Sequence, residues 1–427
     1  MGLNQWLPEY VKRVLERLAE SGYSAYCVGG CVRDAIMQRP VHDWDVATSA
    51  QPFEITRLFP KTAMTGERFG TVTIISHEGL VEVTTYRTEG GYKDARHPDS
   101  VEFLSDIEGD LRRRDFTINA IAASISGEIV DLFGGCVDIG NRIIRCVGDP
   151  VERFREDALR MFRAFRFKAE LDFEVEQVTL GAITENASIA RRISVERIRV
   201  ELEKTLLSHK PEIAGEIIEA GLLDKYLIID KPKSCIQFTV LERIARLPSE
   251  PALRWSAFCA VLQSSGLIES AADFLRNLKH DKKTINACSA GLSIGEIPGD
   301  IARIKRMLAK RGALATRCAA AACEVLQTVW QGSRGLVAAC LTDAGFLTYL
   351  EHVDAIIASS ECYSLKGLRI SGSDLIARGH PSGIGIGRTL EALLDHVIDN
   401  PEDNDYDTLL KIADYMKQSA LDREGST

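Results

Sequence analysis

The chain has no long hydrophobic run. Across its 427 residues no apolar stretch approaches the roughly twenty that a membrane span requires. The first residues show no basic segment followed by an apolar one. The eleven cysteines contain no Cys-x-x-Cys pair, and the closest pairs fit neither a zinc knuckle nor a thioredoxin motif. The sequence therefore predicts a soluble, unexported, cytoplasmic protein whose thiols are free and buried.

Acidic residues outnumber basic ones, 61 to 52. The formal net charge of −9 argues against indiscriminate binding of nucleic acid, but it leaves room for a local basic surface. Basic side chains cluster in two places: Arg153, Arg155, Arg160, Arg163, Arg166 and Lys168, then Arg191, Arg192, Arg197, Arg199 and Lys204. The acidic run 399–407 lacks the glycine and terminal glutamate of an EF-hand loop, so we expect a solvated connection there. The eight histidines are not spaced as the metal site of an HD phosphohydrolase requires.

Hydrophobic periodicity divides the chain near residue 150. Before that point helices alternate with strands, and the pattern predicts an amphipathic first helix and a hairpin formed by 71–75 and 80–86. The apolar side of that helix carries Val11, Val14, Leu15 and Leu18. Beyond residue 150 helical spacing dominates, in 195–207, 211–220, 301–309 and 388–397, with no fixed-period repeat. The sequence therefore predicts an α+β head followed by an all-helical remainder.

A glycine turn stands directly before a predicted helix. Segment 23–28 has the pattern of a short strand, Gly29 and Gly30 interrupt it, and 31–37 has the apolar spacing of a helix. Glycines at such a point let backbone N–H groups approach a phosphate at the helix N-terminus, where the helix dipole favours anions. Taken alone, the same pattern is more often plain turn chemistry.

Two aspartates, Asp43 and Asp45, follow on the next predicted strand, 42–48. Side chains two apart on a strand leave the same face, so both carboxylates share one face and Trp44 takes the other. Two carboxylates on one face can hold a pair of divalent ions, whereas an isolated Asp-x-Asp is usually a solvated strand end. The closeness of turn, arginine and acid pair favours a metal-dependent phosphoryl-transfer site.

Three arginines stand together in the segment 111–120. The pattern places them at the start of a predicted helix, where Arg114 can meet a triphosphate or a primer backbone. The alternative is a capped helix with a solvated basic end. Beside the acid pair we favour phosphate contact.

A further helix is predicted where charged residues recur every third position. Members of such a series wind gradually around the axis, so consecutive members are neighbours, and a ladder of ion pairs is the simplest interpretation. The series is Asp157, Arg160, Arg163 and Arg166, with Phe162 and Phe165 expected in the core. An aspartate acceptor beside an arginine donor also matches the Watson–Crick edges of cytosine and adenine, whereas guanine and uracil present the reverse order. Asp157 and Arg160 could therefore accept CTP and ATP, because misplaced partners would leave buried charged groups unpaired.

These segments together resemble a known family. The glycine turn and acid pair follow the pattern of the DNA polymerase beta-like nucleotidyltransferases. The whole chain is similar to the class II tRNA nucleotidyltransferases, which comprise CCA-adding enzymes and bacterial poly(A) polymerases, in the form without an HD domain. The matching stretches are GGCVRD with HDWDVAT, VEVTTYRTEGGYKDARHPDSVEF, RRRDFTINAIA, DLFGGCVDI, EDALRMFRAFRF and SVERIRVELEKTL. In the helical end, ISGSDLIARGHPSGIGIGRTLEALL is a weaker match.

The resemblance implies an α+β fold with a polymerase beta-like nucleotidyltransferase head, 1–147, and an all-helical neck, body and tail, 148–207, 208–300 and 301–427. It implies addition of C, C and A to the 3′ end of tRNA from CTP and ATP, without a nucleic-acid template, by two-metal phosphoryl transfer with Mg²⁺. The helical part would recognise tRNA by shape and phosphate contact. The implied partners are tRNA, CTP and ATP, with no membrane and with a homodimer as an allowed assembly.

The resemblance also implies roles for individual residues. Asp43 and Asp45 would be the catalytic metal ligands. Glu82, on the strand expected beside them, is the candidate third carboxylate, and the alternative is a half-buried strand glutamate paired with Arg87. The nucleotide would be bound by Gly30, Arg33, Arg114, Asp157, Arg160, Arg163 and Arg166, of which Asp157 and Arg160 read the base.

Several alternatives share these motifs. An A-adding enzyme, a CC-adding enzyme and a poly(A) polymerase would use the same chemistry. The segment 87–103 keeps the pattern of the family's flexible loop, which favours retained A addition, and the C-terminal end is acidic rather than strongly basic as in poly(A) polymerases. A non-catalytic RNA-binding protein is the alternative from another class, and two clustered acids argue against it.

Overall fold

The computed structural model describes residues 6–66, 70–90, 100–228, 238–293, 300–326, 353–359 and 361–424. The chain divides into two units, Met1–Lys225 and Tyr226–Thr427. None of the helices in the described ranges combines the length and the apolar character needed to cross a membrane. The predicted boundaries at 147, 207 and 300 stay predictions.

A mixed sheet forms the centre of the N-terminal unit. The strands of this unit are β1 (Ala25–Val28), β2 (Trp44–Thr48), β3 (Thr62–Gly66), β4 (Thr71–Ile75), β5 (Leu80–Thr85), β6 (Arg87–Gly90), β7 (Ser100–Phe103), β8 (Ile121–Ala123), β9 (Ile129–Asp131), β10 (Ile143–Ile144) and β11 (Glu174–Val175). Seven strands form the sheet, in the order β3-β4-β5-β2-β1-β8-β9. β2 and β5 are parallel and the other neighbouring pairs are antiparallel. The parallel pair sets Asp45 directly opposite Glu82.

The helices of the N-terminal unit cover the sheet and then continue beyond it. They are α1 (Glu9–Glu20), α2 (Gly30–Ile36), α3 (Pro52–Leu58), α4 (Ile107–Arg112), α5 (Gly135–Asn141), α6 (Pro150–Glu156), α7 (Leu159–Leu171), α8 (Gln177–Asn186), α9 (Val195–Leu207) and α10 (Ile213–Glu219). The predicted apolar side of α1 is confirmed, because its four named residues are all buried. The predicted helix 195–207 coincides with α9.

Two antiparallel strand pairs lie next to each other in the sequence, β4 with β5 inside the sheet and β6 with β7 outside it. β4 and β5 pair in antiparallel register, as predicted, and Ser76 closes their turn by donating its hydroxyl to the Gly79 carbonyl, 2.8 Å away. β6 and β7 form a separate antiparallel pair with Arg87 opposite Phe103. Residues 91–99, the middle of the loop predicted at 87–103, lie outside the described residues.

Aromatic side chains are buried on the strand that carries Asp45 and in α7. Trp44 of β2 is buried and stacks on Trp6, with ring centroids 5.0 Å apart and planes 22° apart. Phe162 and Phe165 of α7 are fully buried, which confirms their predicted place in the core. Since Trp44 points into the core, the alternation of β2 turns Asp45 to the opposite face.

The C-terminal unit is helical throughout its described residues. Its helices include α11 (Pro251–Ser264), α12 (Ala271–Asn277), α13 (Lys282–Leu292), α14 (Ile301–Arg311) and α15 (Ala313–Leu326), followed by Gly372–Ala377, Ile384–Asp399 and Tyr406–Glu424. The predicted helices 301–309 and 388–397 lie inside two of these. The acidic run 399–407 contains a short 3₁₀ helix, Pro401–Asp403, and its first residue, Asp399, accepts a hydrogen bond from Arg306 at 2.6 Å. The first residue of the acidic run is therefore bound to α14. The predicted solvated connection did not include this contact.

The cysteines are free thiols in the described residues. All of these except Cys136 are buried. The prediction of buried free thiols is confirmed for this part of the chain.

Candidate active site

The glycine turn lies between β1 and α2. Gly29 caps the helix with a positive φ of 78°, a backbone conformation that favours glycine. A Cβ atom at Gly29 would lie only 2.7 Å from Nη1 of Arg114. The turn therefore needs glycine both for its backbone and to leave room for this arginine.

Three carboxylates lie on or beside the two neighbouring strands β2 and β5 in the interior of the sheet. Asp43 is exposed just before β2, Asp45 is half-buried on β2, and Glu82 is exposed on β5 opposite Asp45. Burial raises the pKa of Asp45 to about 6, although the nearby charge of Arg114 lowers it. The negative charges of Glu82 and Asp43 add to the rise. Burial is therefore the main reason that Asp45 is harder to ionise than an ordinary aspartate, and the charge of Arg114 does not offset it.

Such a donor set fits a divalent cation such as Mg²⁺. Carboxylate oxygens are the ligands that Mg²⁺ prefers, and it commonly takes one or two of them together with water and substrate phosphates. Within the described residues, no group of three or more histidine, cysteine, aspartate or glutamate side chains lies close enough together to hold a metal ion. Asp43 and Asp45 thus suit an open site that a substrate completes, and the role of Glu82 as a third carboxylate stays a prediction.

Arg114 is anchored by a buried aspartate. Asp106 caps α4 by accepting from the amide of Gly109, so the helix begins there and the three arginines lie at its end. The prediction that they start a helix is wrong, because this cap lies upstream of them. Asp110 is fully buried and accepts from Arg113 at 2.6 Å and Arg114 at 3.0 Å.

The charge balance at Asp110 sets its protonation. Burial alone would raise the pKa of Asp110, but the charges of Arg114 and Arg113 outweigh it, so the pKa lies below its usual range. The carboxylate stays ionised and keeps Arg114 in place between Gly29 and Asp45.

Arg33 is held in the interior of the N-terminal unit. Its Nη1 donates to Oδ1 of Asn119 at 2.6 Å and its Nε donates to Asp34 at 3.0 Å. Its guanidinium carbon lies 5.2 Å from the ring centre of Phe167 on α7. The arginine next to the glycine turn thereby connects the sheet to the first long helix after it.

A second buried aspartate, Asp115, continues this connection. It accepts from Arg163 at 2.7 Å and from Asn119 at 3.2 Å. Burial favours its neutral form, but the charge and hydrogen bond of Arg163 and the hydrogen bond of Asn119 outweigh it, so the pKa of Asp115 falls well below its usual range. Arg166, one turn further along α7, pairs with Glu201 of α9 at 2.7 Å.

Asp157 and Arg160 do not share a helix. α6 ends at Glu156, Asp157 has an extended backbone with φ −140° and ψ 101°, and α7 begins at Leu159. The predicted ion-pair contact between Asp157 and Arg160 is therefore replaced by two others. Asp157 pairs with Arg197 at 2.7 Å, and Arg160 pairs with Glu156 at 2.6 Å. The two residues between α6 and α7 leave the three-residue spacing of the charged side chains unchanged. The sequence pattern therefore predicted a single helix.

The structure thus brings most of the predicted site residues into one connected region. Arg114 lies next to the glycine turn, and its charge lowers the pKa of Asp45. Arg33 and Arg163 are connected by hydrogen bonds through Asn119 and Asp115. Sequence reasoning missed the acidic and amide partners, namely Asp110, Asp115, Asn119 and Glu201. The signal available for them was the excess of arginine in 112–114 and 160–166, because buried arginines need acceptors.

Comparison with known proteins extends this picture along the chain. Residues 25–145 match the family described as "Poly A polymerase head domain". Residues 172–227 match the family described as "Probable RNA and SrmB- binding site of polymerase A". The first match includes the glycine turn, the three carboxylates and Arg114.

Full-length relatives are also similar. The CCA-adding enzyme of Limosilactobacillus fermentum is 38% identical over 415 residues, which cover 95% of this chain and 96% of that protein. The crystal structure of the Bacillus stearothermophilus CCA-adding enzyme in complex with CTP aligns with a TM-score of 0.76 and 31% identity, covering 97% of this chain and 98% of that one. The Thermotoga maritima CCA-adding enzyme complexed with tRNA shares the fold, at 20% identity, a TM-score of 0.62 and coverage of 97% of both chains.

Proposed function

The chain belongs to the family of CCA-adding enzymes, and from that premise we propose that it adds C, C and A to the 3′ end of tRNA, using CTP and ATP without a nucleic-acid template. The observation that carries the proposal is the site where Asp45 faces Glu82 beside Asp43 and Arg114. That site lies on the N-terminal unit, next to a glycine turn that suits a phosphate chain.

Asp43 and Asp45 would hold Mg²⁺. The support is the raised pKa of Asp45, which burial causes in the first place and the charges of Glu82 and Asp43 increase, because a bound dication would stabilise the ionised form of this carboxylate. Divalent ions bound there would lower the pKa of the attacking hydroxyl and neutralise charge on the leaving oxygens.

The residues of the chain would bind and orient the two substrates. Gly30, Arg33 and Arg114 would contact the triphosphate, and Arg163 and Arg166 would line the remainder of the nucleotide pocket. The 3′ hydroxyl of the tRNA would attack the α-phosphorus in line. A new bond forms between the 3′ oxygen and the α-phosphorus. The bond from the α-phosphorus to the oxygen that joins it to the β-phosphorus breaks, and pyrophosphate leaves. Positioning and charge stabilisation supply most of the catalysis in reactions of this class.

Asp157 and Arg160 would read the base. Cytosine and adenine both offer an amino donor beside a ring-nitrogen acceptor, so an acceptor from Asp157 and a donor from Arg160 pair with either. Uracil and guanine reverse this order and would leave charged groups unpaired, which costs on the order of 1 to 3 kcal/mol per group. The same pair would therefore serve all three additions.

The helical segments would hold the tRNA. The match of residues 172–227 to an RNA-binding family supports a contact there. Exposed arginines Arg191 and Arg192 lie within that segment and are suited to phosphate contact.

Sequencing of the 3′ ends of tRNA transcripts would test the proposal. Transcripts that end before CCA, after C and after CC would each be incubated with the protein, Mg²⁺, CTP and ATP. Discrete CCA ends from all three are expected. A stop at CC, addition to CC ends alone, or a long A tail would reassign the protein to CC-adding, A-adding or poly(A) activity. No extension of any transcript would favour a non-catalytic RNA-binding protein.

A further inference from the structure

Asp157 lies between two helices, and the backbone there does not by itself fix the direction of its side chain. It occupies the extended connection between α6 and α7 rather than a helical turn. A carboxylate in such a connection has more than one staggered rotamer open to it, so its hydrogen bonds decide which one it adopts. The direction in which Asp157 offers an acceptor is therefore decided by its partners.

Those partners fill most of its acceptor sites. Oδ1 accepts from the amide of Leu159 at 3.1 Å and from Nη1 of Arg197 at 3.1 Å, and Oδ2 accepts from Nη2 of Arg197 at 2.7 Å. An ionised carboxylate has about four acceptor directions. Three are occupied here, so one remains, on Oδ2. The two-pronged pair with Arg197 determines which oxygen is left to accept a hydrogen bond.

Arg160 is held in a complementary way. Its Nη1 donates to the carbonyl of Arg153 at 3.0 Å and to Glu156 at 2.6 Å, and its Nη2 donates to the carbonyl of Arg113 at 2.9 Å. Of the roughly five N–H donors of a guanidinium, those on Nε and one on Nη2 remain. An acceptor and a donor are thus both set before any nucleotide arrives.

Arg197 also keeps Asp157 and Arg160 from forming an ion pair with each other. Arg160 lies three residues along the chain from Asp157, and the negative charge of Asp157 already reaches Arg163. Without Arg197 the carboxylate would be drawn to these cations of α7. Such a pair would consume both the acceptor and the donor that a base needs.

Arg197 itself is supplied by another helix. It stands near the start of α9, 40 positions from Asp157, and both side chains are only partly exposed, at 25% and 19%. A partly buried, two-pronged pair of this kind is rigid, in contrast with an ion pair on the open surface.

We propose that Arg197 is a positioning residue for base selection, which aims the Asp157 carboxylate at the base and keeps it apart from Arg160. The inference rests on the proposed function, because it assigns a role within the same nucleotide site. It predicts that loss of Arg197 affects the choice between nucleotides more than it affects turnover with the correct one.

The test compares kcat/KM for CTP and UTP with a tRNA transcript that ends before CCA. Arg197→Met should lower the CTP to UTP ratio by about tenfold or more, since one selecting partner is lost. Arg199→Met is the matched control, because Arg199 lies on the same helix, is half-buried and forms no ion pair with the described residues. Its ratio should equal that of the parent protein, whatever happens to tRNA affinity.

A second variant and a double variant guard against loss of folding. Arg197→Lys keeps the positive charge but cannot donate two parallel hydrogen bonds to one carboxylate. Its ratio of kcat/KM for CTP to that for UTP should therefore lie between those of the parent and Arg197→Met. In the double variant with Asp157→Ala, removing Arg197 should produce no further loss of selection, since Arg197 acts through that carboxylate.

The outcomes separate the two proposals. A parent protein that adds neither C nor A overturns the proposed function and this inference with it. If the parent prefers CTP and both Arg197 variants keep that preference, only the positioning role is overturned. An equal fall for CTP and UTP would likewise mark Arg197 as a structural residue and overturn the inference.

Discussion

Asp45 and Asp115 are aspartates of the same unit with opposite surroundings. Asp45 faces two other carboxylates, and burial together with these like charges raises its pKa to about 6 against the opposing charge of Arg114. Asp115 is more deeply buried, yet Arg163 and Asn119 hold its pKa well below the usual range. At Asp45 the charge of Arg114 does not offset burial, whereas at Asp115 the built-in partners do.

The difference separates the two tasks of the site. Buried charges that the chain balances itself, as at Asp115 and Asp110, form a rigid frame that connects sheet and helices. Asp45, whose ionised form the surrounding residues do not fully stabilise, lies where a cation and a substrate would complete the structure. Sites of chemistry commonly keep such perturbed groups.

The largest test of this contrast removes a metal ligand. Asp43→Ala or Asp45→Ala should reduce kcat by at least about a thousandfold, or ~4 kcal/mol, while CTP still binds, because the catalytic contribution arises in the transition state. Single-turnover extension and equilibrium CTP binding would be measured side by side. Glu128→Gln, an exposed carboxylate in a turn, is the control and should extend tRNA normally. Normal turnover in either aspartate variant would falsify the metal assignment.

The next test removes a balanced charge. Asp115→Ala should lower the free energy of unfolding by about 3 kcal/mol, because Arg163, whose side chain is only 31% exposed, loses its main partner. A depressed folded pKa gives stability that is present above the unfolded pKa of about 4 and is lost as the pH falls through the folded value. The difference between the variant and the parent should therefore be constant above about pH 5 and shrink in acid. Urea titrations at several pH values would measure it, and a loss no larger than at the surface would remove Asp115 from the frame.

The opposite sign is expected at Asp45. Asp45→Asn, in buffer with a chelator, should raise the free energy of unfolding at pH 7.5 by about 2 kcal/mol, because a raised folded pKa means that ionised Asp45 destabilises the fold. The gain should be absent near pH 4, grow as the pH rises towards 6 and then level off. The same urea titrations would detect it. A destabilised Asp45→Asn at pH 7.5 would break the contrast with Asp115.

The smallest effect is expected at an exposed pair. Glu78 and Arg13 form an ion pair with about half of each side chain exposed. Glu78→Gln should change the free energy of unfolding by less than about 0.5 kcal/mol, since solvent screens such pairs. It serves as the matched control for Asp115→Ala, and a loss of similar size at both positions would show that burial does not decide the effect.

Local patterns predicted the core of the site well. The strand, glycine turn and helix at 23–37, and the strand that carries Asp45, depend on residues close together in the sequence. The hairpin 71–86 likewise follows from alternation around a turn. These features are set by backbone chemistry and by the apolar pattern, so periodicity finds them.

Partner choice could not be predicted in the same way. The start of α4 depended on the single cap at Asp106, and the break at Asp157 leaves the spacing of three unchanged. The pairing of Asp157 with Arg197 joins positions that only the folded chain brings together. Which acid a buried arginine meets is decided by packing, so the sequence predicted the charged groups but not their pairs.

The stack of Trp6 on Trp44 has an optical consequence. Two indoles 5.0 Å apart and nearly parallel absorb as a coupled pair, and one of them, Trp44, stands between Asp43 and Asp45 in the sequence, at the start of β2. Their near-ultraviolet dichroism and fluorescence should therefore respond when the strand moves or its carboxylates acquire a ligand. The chain carries its own spectroscopic label at the place where the chemistry would occur.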